Sequence, residues 1–358
     1  MTEATHSQSG KPVLPPAEIA AAYRRLKSEN QTIRARDAAE QVGVSEGELV
    51  ASRVGEGVIR LVNDPGAIFK ALPALGVVMA LTRNETVVHE KVGQYENITI
   101  GAEHGLVLNR EIDLRLFLKR WAHAFAVTEE TMSGTRQSLQ FFDKTGLALH
   151  KIYMREESDW AAFDALKERF ADDVQLPGIV VEPADPPAET IADADLDRDA
   201  FHARWAGLED THQFVGLLRD FKLARRQALR LIGSDFVDEM PASACRTMLE
   251  AAAKSGASIM CFVGNHGCIQ IHTGPVERIE PRGPWINVLD PGFNLHLRED
   301  RIGSAYVVRK PTTDGIVTSL EVYDTEENLM AQFFGERKPS ETEHEDWRAI
   351  LADLARLH

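Results

Sequence analysis

Residues 77–93 read VVMALTRNETVVHEKVG, and residues 258–274 read SIMCFVGNHGCIQIHTG. Each is an alternating run with a polar or glycine-bearing turn in its middle, the pattern of an antiparallel hairpin. The two stretches align at a shift of 181, and the alignment extends without a gap over residues 77–143 and 258–324, where 17 of 67 pairs are identical. Chance alone gives roughly one in sixteen from average composition. Met79/Met260, Asn84/Asn265, Gly93/Gly274, Leu114/Leu295 and Asp143/Asp324 are among the pairs. A period this long marks a duplicated domain rather than a solenoid. A residue present in one copy only therefore becomes a candidate for function.

Outward from these hairpins, further strands are expected at Tyr95–Ile100, Gly105–Asn109, Ile286–Leu289, Asn294–Leu297, Gly303–Arg309 and Val317–Asp324. Segment 113–127 reads as strand, helix, or one after the other. Upstream of the β region, Pro16–Lys27 predicts a helix, and residues 33–55 read as helix, turn, helix. Residues 214–233 repeat that pattern at a shift of about 179, with Val42, Val44 and Val50 falling on Phe221, Leu223 and Leu229. The unit is helical first and β after, and a closing amphipathic helix is expected at Thr342–Leu357. These elements divide the chain into an N-terminal repeat over 1–175, with a disordered tail to about residue 16, a linker rich in Pro, Ala and acid over 176–197, and a C-terminal repeat over 198–358. A chain of 358 residues also exceeds the size at which single cores stop growing.

Composition removes several classes of function. A formal charge of −15 opposes nonspecific binding to nucleic acid or anionic membrane, so any anionic ligand needs a local cationic cluster. No apolar run is long enough for membrane insertion, and the first residues lack a basic region followed by an apolar core; the expectation is a cytoplasmic protein. Cys245, Cys261 and Cys268 lack zinc spacing and read as reduced structural thiols. The phosphate-loop, dinucleotide, zinc-protease and serine-hydrolase motifs are missing. The 33–55 pattern has the small-residue turn of a DNA-binding module, but Glu46 and Glu48 lie on its second helix, so structural packing is the expected role.

His212, in LEDTHQFVGLLRDF, is a single-copy feature: its counterpart lies near Ile33. Asp210 and Thr211 before it are natural helix caps. Phe214, Leu217, Leu218 and Phe221 form one face of the helix that follows; His212, Val215, Gly216 and Arg219 form another, where glycine one turn after an imidazole leaves room for a planar ligand. A surface or capping histidine is the simpler alternative. Arg115 corresponds to His296, so one slot holds a cation or imidazole in both halves, or Arg115 is an ordinary surface pair of Asp113 or Glu111. Arg309, Lys310, Arg337 and Lys338 are candidates for local positive charge, with a solvated face as the alternative; His89, His202, His266 and His272 are reserve ligands.

LVNDPGAIFKALPALGVVMALTRNETVVHEKVG, GLVLNREIDLRLFLKRWAHAFAV, DTHQFVGLLRDFKLARRQALRLIG, GNHGCIQIHTGPVERIEPRGPWINVLDPGFNLHLRED and the GSAYVVRKPTTDG region together resemble the cytoplasmic haemin-degrading or haem-trafficking proteins of bacterial haem uptake, the HemS/ChuS type, over about residues 20–340. The resemblance implies an α+β fold with tandem structural duplication, each half a large antiparallel sheet with flanking helices. It implies one haem b (iron protoporphyrin IX) between the repeats, with His212 as axial iron ligand, Arg115 as the distal and catalytic residue, and Lys310 and Arg337 beside the propionates. Arg110 is the fallback for Arg115. The implied activity is oxidative haem degradation that releases iron for iron acquisition, using an external electron donor. The alternative is a carrier that takes haem from an uptake ABC transporter to a separate haem oxygenase. No nucleic acid and no membrane insertion are expected.

Overall fold

The computed structural model describes residues 14–132, 134–337 and 342–356. The expected N-terminal tail falls almost wholly outside them, as does Lys338. The chain opens with α1 (Pro16–Glu29), which starts on a proline whose missing N–H costs a helix nothing at that position. Next come α2 (Ala35–Val42) and α3 (Glu46–Ala51), the latter fixed by a reciprocal capping box between Ser45 and Glu48. After β1 (Val58–Leu61) and α4 (Pro65–Ala71) the chain forms β2 (Gly76–Arg83), β3 (Val87–Gly93), β4 (Ile98–Ile100), β5 (His104–Leu108) and β6 (Asp113–Phe117). A single 3-10 turn at Leu118–Arg120 divides β6 from β7 (His123–Thr131), which resolves the ambiguous segment as strand, turn, strand. The half closes with β8 (Gly134–Phe142), β9 (Ala148–Ser158) and α5 (Trp160–Phe170).

The second half repeats this order with α6 (Arg198–Ala206), α7 (Gln213–Asp220), α8 (Arg225–Ile232), β10 (Val237–Met240) and α9 (Ala244–Ser255). Its strands are β11 (Ile259–Gly264), β12 (Cys268–Gly274), β13 (Ile279–Arg282), β14 (Trp285–Asp290), β15 (Phe293–Arg298), β16 (Ile302–Thr312), β17 (Gly315–Asp324) and β18 (Leu329–Gly335), followed by α10 (Glu345–Arg356).

The strands form two nine-stranded sheets, ordered β1-β7-β8-β9-β2-β3-β15-β14-β13 and β10-β16-β17-β18-β11-β12-β6-β5-β4. The expected α+β fold of two large antiparallel sheets is present, with one addition: each half lends its middle three strands to the other's sheet. Arg115 on β6 lies opposite Ile269 on β12, and His296 on β15 lies opposite Val88 on β3. Both offsets are 181 (296 − 115 and 269 − 88), so the exchange is reciprocal and in register.

The sheets meet where β2 and β3 cross β11 and β12. Gln270 Nε2 donates to Ala80 O at 3.0 Å and Thr82 Oγ1 donates to Gln270 Oε1 at 2.8 Å, pairing groups that burial would otherwise leave costly. Helices α9 and α10 pack on the second sheet through Met248, Trp347 and Leu351, while α4 and α5 pack on the first through Phe69 and Phe163. The opposite faces carry α1–α3 and α6–α8, the latter layer filled by Trp205, Phe214 and Leu217 against Tyr306 and Val308. Between the halves, residues 176–190 form no helix or strand and hold to the first half through bonds such as Gly178 N–H to Ala51 O at 2.8 Å.

Candidate functional site

Register defines one continuous surface. Side chains directly opposite each other in antiparallel strands share a face. Glu321 on β17 faces Gln332 on β18, Gln332 faces Phe262 on β11, and Phe262 faces Ile271 on β12. Ile271 faces Asp113 on β6, and Ile269 two residues earlier faces Arg115. Arg115, from the first half, thus shares a face with Lys310 and Glu321 of the second. From β17 to β6 is four strand spacings, roughly 19 Å. Helices α6–α8 cover the β16–β17 end of this face, while Met260, Phe262, Ile269, Gln332 and Phe334 on the middle strands are only half-buried. Phe262 and Phe334 meet edge to face at 5.1 Å, giving that floor an aromatic centre.

His212 stands at the head of α7. Phe214 and Leu217 are buried and anchor the helix; Val215 is exposed, and a side-chain carbon at Gly216 would point into open space. This is the two-faced helix expected from the sequence. The caps differ from expectation: the N-cap is His212 itself, and the Asp210 carboxylate bonds to His212 rather than to the helix. Asp210 Oδ1 accepts from the His212 backbone N–H at 2.7 Å and sits 2.6 Å from ring Nδ1. These bonds hold the Asp210 carboxyl below the usual carboxylate range. The His212 side chain is 93% exposed, and among the described residues its Nε2 takes no protein hydrogen bond.

Arg337 follows β18, 3.8 Å from Asp314 in the β16–β17 turn and close enough to Asp210 to lower its pKa. Thr313 N–H donates to Glu209 O at 3.0 Å, tying that turn to the loop before His212. Lys310 lies deeper. Its side chain is 4% exposed, its Nζ donates to Glu321 Oε1 at 2.9 Å, and it sits 4.6 Å from the centre of the Phe214 ring. Burial lowers the Lys310 pKa, with Glu321 opposing. A propionate would reach this amino group only by displacing Phe214 and replacing Glu321. Arg225 bonds the same carboxylate through Nε at 2.8 Å and Nη2 at 2.7 Å, and Tyr323 OH adds a bond of 2.7 Å. Burial favours protonation of Glu321, but Arg225 and Lys310 prevail and hold its pKa well below normal.

Arg115 is partly exposed and bonded to Asp113, the surface pair considered above, yet it remains on the open face. Arg110 is 71% exposed and stands 4.0 Å from Glu336. The reserve histidines separate cleanly. His89 is fully buried between the sheets and His272 stacks on Phe293 at 3.8 Å, so neither ring is accessible. His202 and His266 meet Asp235 and Asp143 through Nε2, at 3.1 and 2.8 Å, which blocks the far nitrogen that His212 leaves open. His296 spends Nδ1 on Asn287 at 2.7 Å.

Sequence reasoning missed Arg225 and Glu321 as a buried pair under the site, and Gly264 as the small residue on the open strand. The repeat held a usable signal, because Arg225 and Gly264 replace Glu46 and Arg83. An imidazole with a free Nε2, an aromatic floor, a cation at the rim and a guanidinium across the face together suit a planar, anionic metal macrocycle.

The family model described as the haemin-degrading HemS/ChuX domain matches residues 43–170 and again residues 222–354. The hemin transport protein HemS of Yersinia enterocolitica is 43% identical over 333 residues, covering 93% of this chain and 96% of the relative. The holo structure of PhuS, a heme-binding protein from Pseudomonas aeruginosa, superposes with a TM-score of 0.92 at 47% identity, covering 94% of this chain and 98% of that one. ChuS, an Escherichia coli heme oxygenase, gives a TM-score of 0.85 at 39% identity, covering 94% and 99%.

Proposed function

Because the chain belongs to the haemin-degrading HemS/ChuX family, we propose that it binds haem on the open face of its second sheet, as a cytoplasmic protein of bacterial haem uptake, and opens the ring oxidatively to release iron. The observation that carries this reading is the strand exchange, by which Arg115 of the first half comes to share a face with the helix layer that bears His212. Both halves, 1–175 and 198–358, thus contribute to one cleft.

His212 ligates the iron of haem b through Nε2, and Phe262 and Phe334 receive the macrocycle. Arg337 pairs with one propionate, and Lys310 reaches the other only once Phe214 moves aside and Glu321 yields its place. Charge-assisted bonds of this kind offset the cost of bringing two carboxylates to an acidic protein. Arg115, on the same face from the other half, would supply the cation that favours oxygen chemistry at a bound haem. Electrons come from an external donor.

A carrier role is the second reading, favoured by one observation: the ligating imidazole is almost wholly exposed, which suits exchange with a transporter or a separate oxygenase. The test is to load the apoprotein with haemin and add a mild reductant in air with catalase present. Loss of the Soret band with appearance of a linear tetrapyrrole supports degradation. Intact haem that passes rapidly to a separate haem oxygenase overturns degradation in favour of carriage.

A further inference from the structure

A carboxylate caps the free N–H groups of a helix's first turn when it stands at the N-cap, which here is His212. Asp210 does not stand there. One of its oxygens, Oδ1, gathers both the His212 backbone N–H at 2.7 Å and the His212 ring at Nδ1, 2.6 Å. The backbone bond fixes where the carboxylate stands, so the ring bond is set by local geometry alone. A carboxylate only accepts, so the hydrogen between them belongs to Nδ1, and the lone pair of the neutral ring lies on Nε2. The other histidine–aspartate pairs of the described residues, His202–Asp235 and His266–Asp143, are bonded through Nε2 instead. Asp210 thus does two things that a simple surface pair does not: it selects the tautomer and aims the far nitrogen outward.

We infer that Asp210 is a positioning residue that makes His212 a strongly donating iron ligand and biases the site toward ferric over ferrous haem. The inference rests on the His212 ligation proposed above. An anionic acceptor on Nδ1–H raises the electron donation of Nε2, and the more highly charged ferric iron gains more from it. Oxidised haem is then held more tightly than reduced haem, so arrival of an electron loosens the cargo as well as priming it for oxygen. Either use of the protein, degradation or delivery, would exploit that difference.

The test compares full-length wild type with Asp210→Asn and Asp210→Ala, each loaded with haemin. Asn keeps an acceptor oxygen in the same place and removes the charge; Ala removes both. The expected result is a loss of ferric affinity of about tenfold in Asp210→Ala, the lower end of outer-partner effects, with Asp210→Asn between it and wild type. Ferrous affinity should change less. The midpoint potential of the bound haem rises accordingly, by ~59 mV for each tenfold change in the ferric-to-ferrous affinity ratio. The ferrous iron–histidine stretching frequency should fall in both variants. If wild type and His212→Ala have the same spectrum, the ligation itself is wrong and the inference falls with it. If His212 ligates but potential, affinity ratio and stretching frequency match wild type in both Asp210 variants, the positioning role alone is overturned.

Discussion

At the start of α3 in the first half, Glu46 reaches into the sheet and pairs with Lys151 and Arg83; at the start of α8 in the second half, the equivalent Arg225 reaches in and pairs with Glu321. The helices correspond at an offset of 179 and the strands at 181, so Lys151 and Arg83 become Gln332 and Gly264. Two long cations therefore rise from the middle strands of the first sheet and pair with Glu46, so the pocket left beside them is lined by Arg36, Glu46 and Arg83. In the second sheet the same strands carry a short amide and no side chain, and the aromatic floor stays open. Helix α7, which begins at His212, packs on the second sheet through Phe214 and Leu217, whereas the matching place in the first half is near Ile33. One scaffold carries an ion-paired face and an aromatic one, and a few substitutions in equivalent slots account for the difference.

Removing the anchor of the open face should have the largest effect. Glu321→Ala leaves Arg225 and Lys310 buried without their carboxylate and should cost about 3–5 kcal/mol of unfolding free energy, measured by urea denaturation. A loss under 1 kcal/mol would show that solvent reaches the network.

The ion-paired face gives the second prediction, through pH. Lys151 and Arg83 overcome the opposing effect of burial and hold the Glu46 carboxyl at about 2, below its ordinary 4.5. A depressed folded value means that the stabilisation is complete above the unfolded value and fades as pH falls from 4.5 toward 2. Glu46→Gln should therefore be about 3 kcal/mol less stable than wild type at pH 7, by the cost of breaking a buried pair, and the gap should narrow steadily on acidification. A gap that does not depend on pH would break the comparison between the two faces.

Arg115→Ala should leave haemin affinity within about threefold, ~0.7 kcal/mol, while changing the spin state and oxygen reactivity of the complex. A loss of affinity as large as that of His212→Ala would make Arg115 part of the binding floor instead. The smallest effect concerns the turn after each second helix, where Gly43 holds φ 83° and Lys222 holds φ 50°. A left-handed lysine is strained, so Lys222→Gly should raise stability by about 0.5 kcal/mol after the greater freedom of glycine in the unfolded chain is counted.

The duplication was legible because alternating strands with matching turns recur at a constant offset. The exchange of β4–β6 for β13–β15 was not, since a strand's inward and outward pattern is the same whichever sheet receives it. His212 stood out as a single-copy residue on a two-faced helix. That Arg115 shares its face required register carried across β12, β11 and β18, which no local pattern contains. Lys310 read as a local positive charge for a ligand, beside Arg309, but the structure buries it against Glu321. Helices α4 and α5 went unnoticed despite Asp64 and Asp159, whose side chains accept from Ala67 and Ala162 N–H as ordinary N-caps.

The central claim is that the open face of the second half is the only one of the two that takes haem, and that His212 is its ligand. Titration of wild-type apoprotein and His212→Ala with haemin, followed through the Soret band, tests it most directly. The account predicts saturation of wild type at one haem per chain, and in His212→Ala a shifted Soret maximum with roughly hundredfold weaker binding, ~2.8 kcal/mol. Saturation at two haems per chain, or an unchanged spectrum and affinity in the variant, would contradict it.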